Sequence, residues 1–596
     1  MKTRTALLTA VAMVFAAPVF AQTAAVSAPY QATASYNGYQ TESVYIDSYD
    51  GTRLAVTIRR PSLNGVVATT PLPVIVTQDR TGEAEERRKP AIDYFTSHGY
   101  VWVSQDRRGT GASFGLQTGF VNQADALDAK AVIEWAAVQD FSNRKVVAYG
   151  CSNQAAWQYL VAAHDPEHLV AMAPACASPQ FFDHGMSMNG IPLYPASATG
   201  YTGECKRPAG GARPGGTAPP PVQPVDADTD GALLNITQTN QRCGSGPFGQ
   251  YWLNMTRDAV HPYLNYQPAL TDTVINRHEK VKAAGIPMLQ IGGWFDAGVE
   301  GQFTGYRLWG GRIIQGPWTH GNRAVPDTNY PAATIDLNAE TLRWYDHYAK
   351  GVDNGADKAG ILYYTFNAPA GTEWRETAVW PLPNTQATTY YLNDKGLSVR
   401  APSKSGKPAT YTHDASVSWF DGKYAPLAHG WAGDMRASDA KSLVHTLSPL
   451  GKDTQMTGTP VAKLWVSADV EDINVFAVLE DVAPDGRSTY VTDGRLRASW
   501  RQLHTPAWGG QENWHRGYSE DLVKLKAGEP VEMVFDFFPI SYVFKAGHSP
   551  RVSIVTHIGQ DYQQPDAVKQ AAKPPVLTVY RDAQHPSAVI LPLVQE

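Results

Sequence analysis

Between about Tyr45 and Ala177 the chain alternates two hydrophobic periods. "PLPVIVTQ" and "GYVWVSQD" are short apolar runs closed by polar residues, the pattern of buried parallel strands. "ADALDAKAVIEWAAVQD" follows, with Leu127, Ala131 and Trp135 four apart on one face, which predicts a helix. "RKVVAYG" then reads as a strand, "SNQAAWQYLVAAH" as a helix stopped at Asp165-Pro166, and "HLVAMAPACA" as the next strand. Strand–helix alternation implies a mainly parallel sheet with helices on both faces.

Residues 181–280 break that rhythm. "CKRPAGGARPGGTAPPPVQP" cannot be a regular element, because proline removes donors and glycine raises backbone entropy. Aromatic, helix-like pieces such as "PFGQYWLNMTRDAVHPYL" surround it, so the segment reads as a cap inserted between core strands. The strand pattern resumes with "IPMLQIGGWFD" and "GGRIIQGPWTHG". Beyond about residue 356 helices nearly vanish. "PVAKLWVSADV", "INVFAVLEDV", "PVEMVFDFF" and "SPRVSIVTHI" are strands separated by turns such as Pro484-Asp485-Gly486, consistent with a jelly-roll sandwich. The expected organisation is an α/β core over 40–180 and 281–355, a helical cap over 181–280 and a β sandwich over 356–596.

Composition narrows the class. With 43% hydrophobic and 18% charged residues the chain is globular rather than disordered. Lys plus Arg total 50 against 56 Asp plus Glu, so no basic field exists to hold nucleic acid. Aromatics at 11% suit large cores and carved pockets.

The N-terminus, "MKTRTALLTAVAMVFAAPVFAQ", carries Lys2 and Arg4, an apolar stretch from Ala6 to Ala17, and Val19 and Ala21 at cleavage-site positions before Gln22. The apolar run is too short to span a bilayer, which predicts a signal peptide over 1–21 and a periplasmic or extracellular protein that is not membrane-bound. Cys205 and Cys243 bracket the Gly/Pro-rich loop and make a plausible disulfide. Closing the 38 residues between them (243 minus 205) would contribute about 4 kcal/mol in the chain-entropy model. Cys151 and Cys176 each end a predicted strand, and either pair across neighbouring strand tips or stay as buried thiols. Metal-ligand spacing such as Cys-x-x-Cys is absent, and no metal or organic cofactor is expected.

Gly-x-Ser-x-Gly occurs literally once, in "GASFG" around Ser113. A nucleophile elbow needs a strand running straight into the serine and a helix leaving at once. Ser113 lies instead in the loop "DRRGTGASFGLQTG", well past its strand, and reads as a connection near the site. Gly150-Cys151-Ser152-Asn153-Gln154 is the better candidate, preceded by "RKVVAY" and followed directly by a helix. That arrangement raises the Ser152 hydroxyl at the carboxyl edge of the sheet and aims the Asn153 backbone N–H at a developing oxyanion. Helix capping by an ordinary serine is the competing reading. Asp296 and His320 follow the next two predicted strands, and Ser, Asp, His is the chain order of α/β hydrolases. In that reading His320 takes and returns the Ser152 proton, while Asp296 fixes its tautomer.

These motifs resemble the CocE/NonD hydrolases, relatives of X-Pro dipeptidyl-peptidases, α-amino acid ester hydrolases and glutaryl acylases. "GYVWVSQDRRGTGASFG" is similar to the family's loop after the second core strand, "GGWFD" to its acid motif and "GPWTHG" to its histidine motif. "FPISYVFKAGHSPRVSI" and "DVAPDGRSTYVTDGRLRASWR" are similar to its C-terminal jelly roll. The resemblance implies cleavage of a small ester, amide or peptide substrate, with sandwich and cap as walls of the site. Assembly state is left open, a homo-oligomer included. Departures bear on substrate. Asn153 and Ala155 replace the family's usual Tyr and Gly around the serine. The family's second oxyanion donor is a Tyr in a turn that here reads "TQDRTGEAEE", which puts Thr81 or Arg80 near that position. Glu83 stands where amino-ester hydrolases carry one carboxylate of an ammonium-gripping cluster, but Ala297, Gly298 and Val299 occupy the other places, and Glu300 is ambiguous. Trp294 of the acid motif is assigned to substrate contact. The leading expectation is an exported serine hydrolase working through an acyl-enzyme. X-Pro dipeptidyl-peptidase activity is the first alternative, and a decayed hydrolase acting as a binding protein the second.

Overall fold

The computed structural model describes residues 29–79, 84–117, 121–192, 221–244, 256–260, 265–321, 330, 332–404, 406–418, 434–559 and 562–595, with Gln22–Thr23 and Arg323–Ala324 as short strands. The proposed leader, Cys205, Thr81 and Glu83 lie outside the described residues, as does the Cys243 side chain. The main elements of the first half are β1 (Gly38–Asp47), β2 (Arg53–Leu63), β3 (Leu72–Asp79), α1 (Ala84–Ser97), β4 (Val101–Asp106), α2 (Gln123–Ala137), β5 (Ser142–Cys151), α3 (Asn153–Ala162) and β6 (Leu169–Ala175). After the insert come β7 (Leu289–Phe295), α4 (Val299–Trp309), β8 (Arg312–Thr319), α5 (Leu337–Lys350), β9 (Gly360–Tyr364) and β10 (Trp374–Thr377).

These strands form one sheet in the order β10-β9-β8-β7-β6-β5-β3-β4-β2-β1. From β9 through β4 every neighbouring pair is parallel, and β1, β2 and β10 add antiparallel edges. Both faces are buried, as the near-continuous apolar runs require. Ile75, Trp102 and Val147 point into one apolar core, while Val74, Val76, Val103 and Val146 point into the other. The period of two survives inside runs that look uniformly hydrophobic.

The helix expected after β4 is present, but its inward face differs from the expected one. Ala126, Ala129, Ile133 and Ala136 are buried, together with Asp125 and Asp128, whereas Leu127, Ala131 and Trp135 lie on the partly exposed side. Two arginines decide this. Arg107, 1% exposed, donates from Nε to Asp125 Oδ1 at 3.0 Å, and Arg108 Nε donates to Asp128 Oδ2 at 2.7 Å. A buried carboxylate needs a partnered cation, so the acids turn inward and carry the small alanines onto the sheet.

The expected domain boundary at 355/356 falls short of the sheet's end. β9 continues it in parallel beside β8, and β10 closes it antiparallel through Thr377. Downstream, a nine-stranded antiparallel sheet faces a four-stranded one made of Leu443–Thr446, Ser549–Val555, Asn474–Val482 and Ser488–Arg497. Residues of both halves, from Trp294 and Phe295 to Phe476 and Phe535, share one apolar cluster.

The insert bridges the two halves. Its helix Ala232–Gly244 is capped by Asp228, which accepts from Leu233 and Leu234 N–H at 3.0 and 2.8 Å. Gln241 from that helix donates to Gly111 O at 3.0 Å, on the Gly-rich loop after β4. Arg257, also buried, donates to Arg516 O at 2.7 Å and to Asp183, tying the insert to the sandwich. Among the described residues no helix is long and apolar enough to cross a membrane.

Candidate active site

β5 lies near the middle of the sheet, and its last residue, Cys151, pairs with Ala175 at the end of β6. Ser152 follows at once with φ 64° and ψ −129°, and α3 starts at the next residue. A left-handed φ on a residue with a Cβ is strained and needs its surroundings to hold it. Here Ser152 N–H donates to Ala175 O at 2.9 Å, while Ser152 O accepts from Ala155 and Ala156 N–H at 2.9 and 3.0 Å. Gly150 permits the reversal: a Cβ there would meet Gln154 O at 2.2 Å, so α3 passes over a bare backbone. Asn153 is the first helical residue, and its N–H has no acceptor within an α-helix.

Asp296 follows β7 and His320 follows β8, two strands that run side by side with Phe295 paired to Thr319. Their tips therefore meet. His320 Nδ1 lies 3.0 Å from Asp296 Oδ2, and Asp296 Oδ1 accepts from Gly298 N–H at 3.2 Å. The Asp296 side chain is 3% exposed and that of His320 is 23% exposed, so the acid is sealed while the imidazole opens outward. Close strand approach sets this pairing, since a Cβ on Gly293 would meet Trp318 O at 2.1 Å. The three predicted residues thus stand at the carboxyl ends of β5, β7 and β8, on one edge of the sheet. Both His320 and Asp296 act electrostatically on the Cys151 thiol beside Ser152.

Ser113, the serine of the literal motif, is fully buried. Its Oγ donates to Asp106 O at 2.6 Å and accepts from Ala55 N–H at 2.8 Å, so it fastens the loop to β2. Trp294, expected to contact substrate, is enclosed in the core. It is 1% exposed, its indole N–H donates to Tyr364 O at 2.7 Å, and its ring stacks on Phe303. It is a core residue behind the acid turn, and its place in the motif reflects packing. Glu300 has both oxygens engaged, with His184 Nε2 at 3.1 Å and Gln511 Nε2 at 2.7 Å.

Two further features near the nucleophile join elements distant in sequence. Asp79 closes β3, just before the proposed oxyanion turn; its Oδ1 accepts from Gln154 Nε2 at 3.2 Å and its Oδ2 pairs with Arg88 Nη2 at 2.9 Å. This ties the end of β3 to α1 and to the elbow helix. The only sequence signal was an acid at a strand's carboxyl end. The second feature is the hydrogen-bonded thiol pair Cys151 and Cys176, neither of them in a disulfide. That bond holds Cys151 below the usual thiol range and, together with burial, pushes Cys176 well above it. Glu134, Glu167 and His168 gather at the opposite edge of the sheet, and Arg144 lies 2.9 Å from His168 Nε2, where it opposes a cation.

A doubly covered parallel sheet with an acid–histidine pair beside a strained serine elbow is the frame of an α/β-hydrolase-type serine hydrolase. Sequence comparison agrees. Residues 50–322 match the X-Pro dipeptidyl-peptidase (S15 family) profile, and residues 339–590 match the X-Pro dipeptidyl-peptidase C-terminal non-catalytic domain. The chain belongs to this X-Pro dipeptidyl-peptidase-like family, the CocE/NonD hydrolases, and is a serine hydrolase. It is 28% identical to a Mycobacterium bovis protein named as a serine esterase, over 96% of this chain and 98% of that one. It is 25% identical to the cocaine esterase of a Rhodococcus species, over 93% and 98%. Among solved structures it is similar to a CocE/NonD family hydrolase from Staphylococcus aureus, with TM-score 0.66, 20% identity and coverage of 93% and 94%. An α-amino acid ester hydrolase aligns with TM-score 0.70 at 18% identity, covering 95% and 98%.

Proposed function

We propose that the protein is an exported esterase that cleaves small carboxylic esters through an acyl-enzyme on Ser152. The observation carrying this reading is the 3.0 Å contact between His320 Nδ1 and Asp296 Oδ2 at the same sheet edge as the Ser152 elbow. With Nδ1–H donated to the carboxylate, Nε2 is left as the base. It takes the Ser152 proton as Oγ attacks the carbonyl carbon, and Asp296 stabilises the imidazolium. The Asn153 N–H, at the positive end of α3, receives the oxyanion, with a second donor from the turn after β3 near Thr81. Collapse expels the alcohol, which takes the proton from His320. Water then repeats the sequence and frees the acid.

Esters are favoured over X-Pro peptides because a dipeptidyl-peptidase must hold a free ammonium. Glu300, the described acid nearest the acid turn in sequence, is already spent on His184 and Gln511. The leader read over 1–21 supports export. The test is fluorophosphonate labelling with peptide mapping, followed by parallel assay of short acyl esters and X-Pro anilides. An adduct on Ser152 that disappears in His320→Ala, with ester turnover well above anilide turnover, is the expected result. Dominant X-Pro release would replace the ester reading, and folded protein without an adduct would replace catalysis with binding.

A further inference from the structure

We propose that Cys151 and Cys176 form a redox modification site, a thiol pair that closes to an intramolecular disulfide and thereby displaces the Ser152 nucleophile. The inference rests on the assignment of Ser152 above. The geometry comes from the sheet. Cys151 is in register with Ala175 on the adjacent parallel strand, so Cys176 sits one residue beyond its partner. Strands about 4.8 Å apart, with a rise of about 3.3 Å per residue, put the two Cα atoms roughly 5.8 Å apart, inside the range that disulfides span. In a regular strand pair the two side chains would point to opposite faces. Cys176 escapes that alternation with φ 51°, a left-handed backbone held by its N–H bond to Ile291 O at 2.8 Å. The turn brings its thiol onto Cys151, and the two hydrogen-bond. A strained, non-glycine conformation beside a nucleophile, placing one thiol on another, calls for a reason that packing alone does not supply.

The chemistry needs an oxidant, and a small-molecule disulfide of the glutathione class suffices. Cys151, partly exposed and held in the more acidic state by its neighbour, attacks one sulfur as the thiolate and releases the first thiol. Cys176 then loses its proton and attacks the Cys151 sulfur, releasing the second thiol. Two cysteine thiols and one disulfide become one protein disulfide and two small thiols.

Closure draws the sulfurs from hydrogen-bond separation to about 2.05 Å. Ser152 is bonded directly to one cysteine, and its N–H is bonded to the residue before the other. Displacement of a reacting group by about 1 Å costs on the order of 100-fold in rate. The elbow would therefore be active with free thiols and slow with the disulfide.

The experiment equilibrates the reduced, full-length mature protein in glutathione buffers of increasing oxidised fraction. Each sample is split between non-reducing peptide mapping and the rate of fluorophosphonate labelling at Ser152. The expected result is a peptide joining Cys151 to Cys176, lighter by two hydrogens. Its appearance should parallel a roughly 100-fold fall in labelling rate that dithiothreitol reverses. Cys151→Ser, which removes the attacking thiol, should label at one rate across all buffers. Thiols that stay alkylatable in the most oxidised buffer, a joined peptide without a change in rate, or a loss of rate that follows another cysteine would each overturn the proposal. Reduced protein that never labels would sink the nucleophile assignment, while the joined peptide would still report on the thiol pair by mass alone.

Discussion

Two serine segments of this chain differ in an instructive way. Ser113 sits in the literal Gly-x-Ser-x-Gly, and its glycines at 111 and 115 take left-handed φ values of 55° and 88° to turn a loop. The serine itself is sealed, with its hydroxyl donating to Asp106 O and accepting from Ala55 N–H. In the imperfect segment around Ser152 the strain falls on the serine, at φ 64°, between the end of β5 and the start of α3. A nucleophile needs its hydroxyl lifted beside a base and its neighbouring amide left unpaired. At Ser152 the backbone sets the serine between a strand end and the first residue of a helix, a placement that the motif letters around Ser113 do not give.

That contrast can be broken most directly at the two hydroxyls. Ser152→Ala should lower kcat by about a million-fold with ester substrate, whereas Ser113→Ala should leave kcat within a few-fold. Comparable losses at both positions would erase the distinction. The next largest effect belongs to Asp296→Asn, which removes the anionic acceptor of His320 Nδ1 and should cost about 10,000-fold in kcat. Recovery of part of that rate at alkaline pH, where neutral histidine is favoured, would sharpen the tautomer argument. Gly150→Ala pushes a methyl against Gln154 O and shifts α3. A fall of roughly 100-fold in Ser152 labelling rate, on protein with unchanged circular dichroism, is expected. Ser113→Ala should appear in stability instead. It strands the buried Ala55 N–H, so a loss of about 1–3 kcal/mol by urea titration is expected. Gln154→Ala removes one bond to Asp79 and should lower kcat by about 3- to 10-fold at unchanged KM.

Much of the site was legible because strand ends are legible. The apolar runs ending at Cys151, Phe295 and Thr319 predict three strands, and the residue just past each tip comes to one edge of a parallel sheet. Side-chain neighbours were harder to read. Trp294 looked like a binding residue because it adjoins Asp296, yet strand alternation turns it into the core against Phe303. The Asp79–Gln154 clamp joins residues 75 positions apart. The clasp of Glu300 by Gln511 spans 211 positions, from the catalytic half to the sandwich.

Local periodicity thus determined by itself that α2 and α3 are helices and that the runs leading to Ser152, Asp296 and His320 are strands, with the chain order of those three residues along them. Such features depend on neighbours two to four residues away, and the side chains record them directly. Only the tertiary structure decided which faces turn inward and which polar groups pair. Helix α2 shows the reason. Its Leu127, Ala131 and Trp135 stripe satisfies the local hydrophobic pattern, but burying Asp125 and Asp128 against Arg107 and Arg108 rotates the helix onto its alanines. A buried charge pair outweighs a few apolar contacts, because a carboxylate left without its cation in the core costs more than a leucine left at the surface.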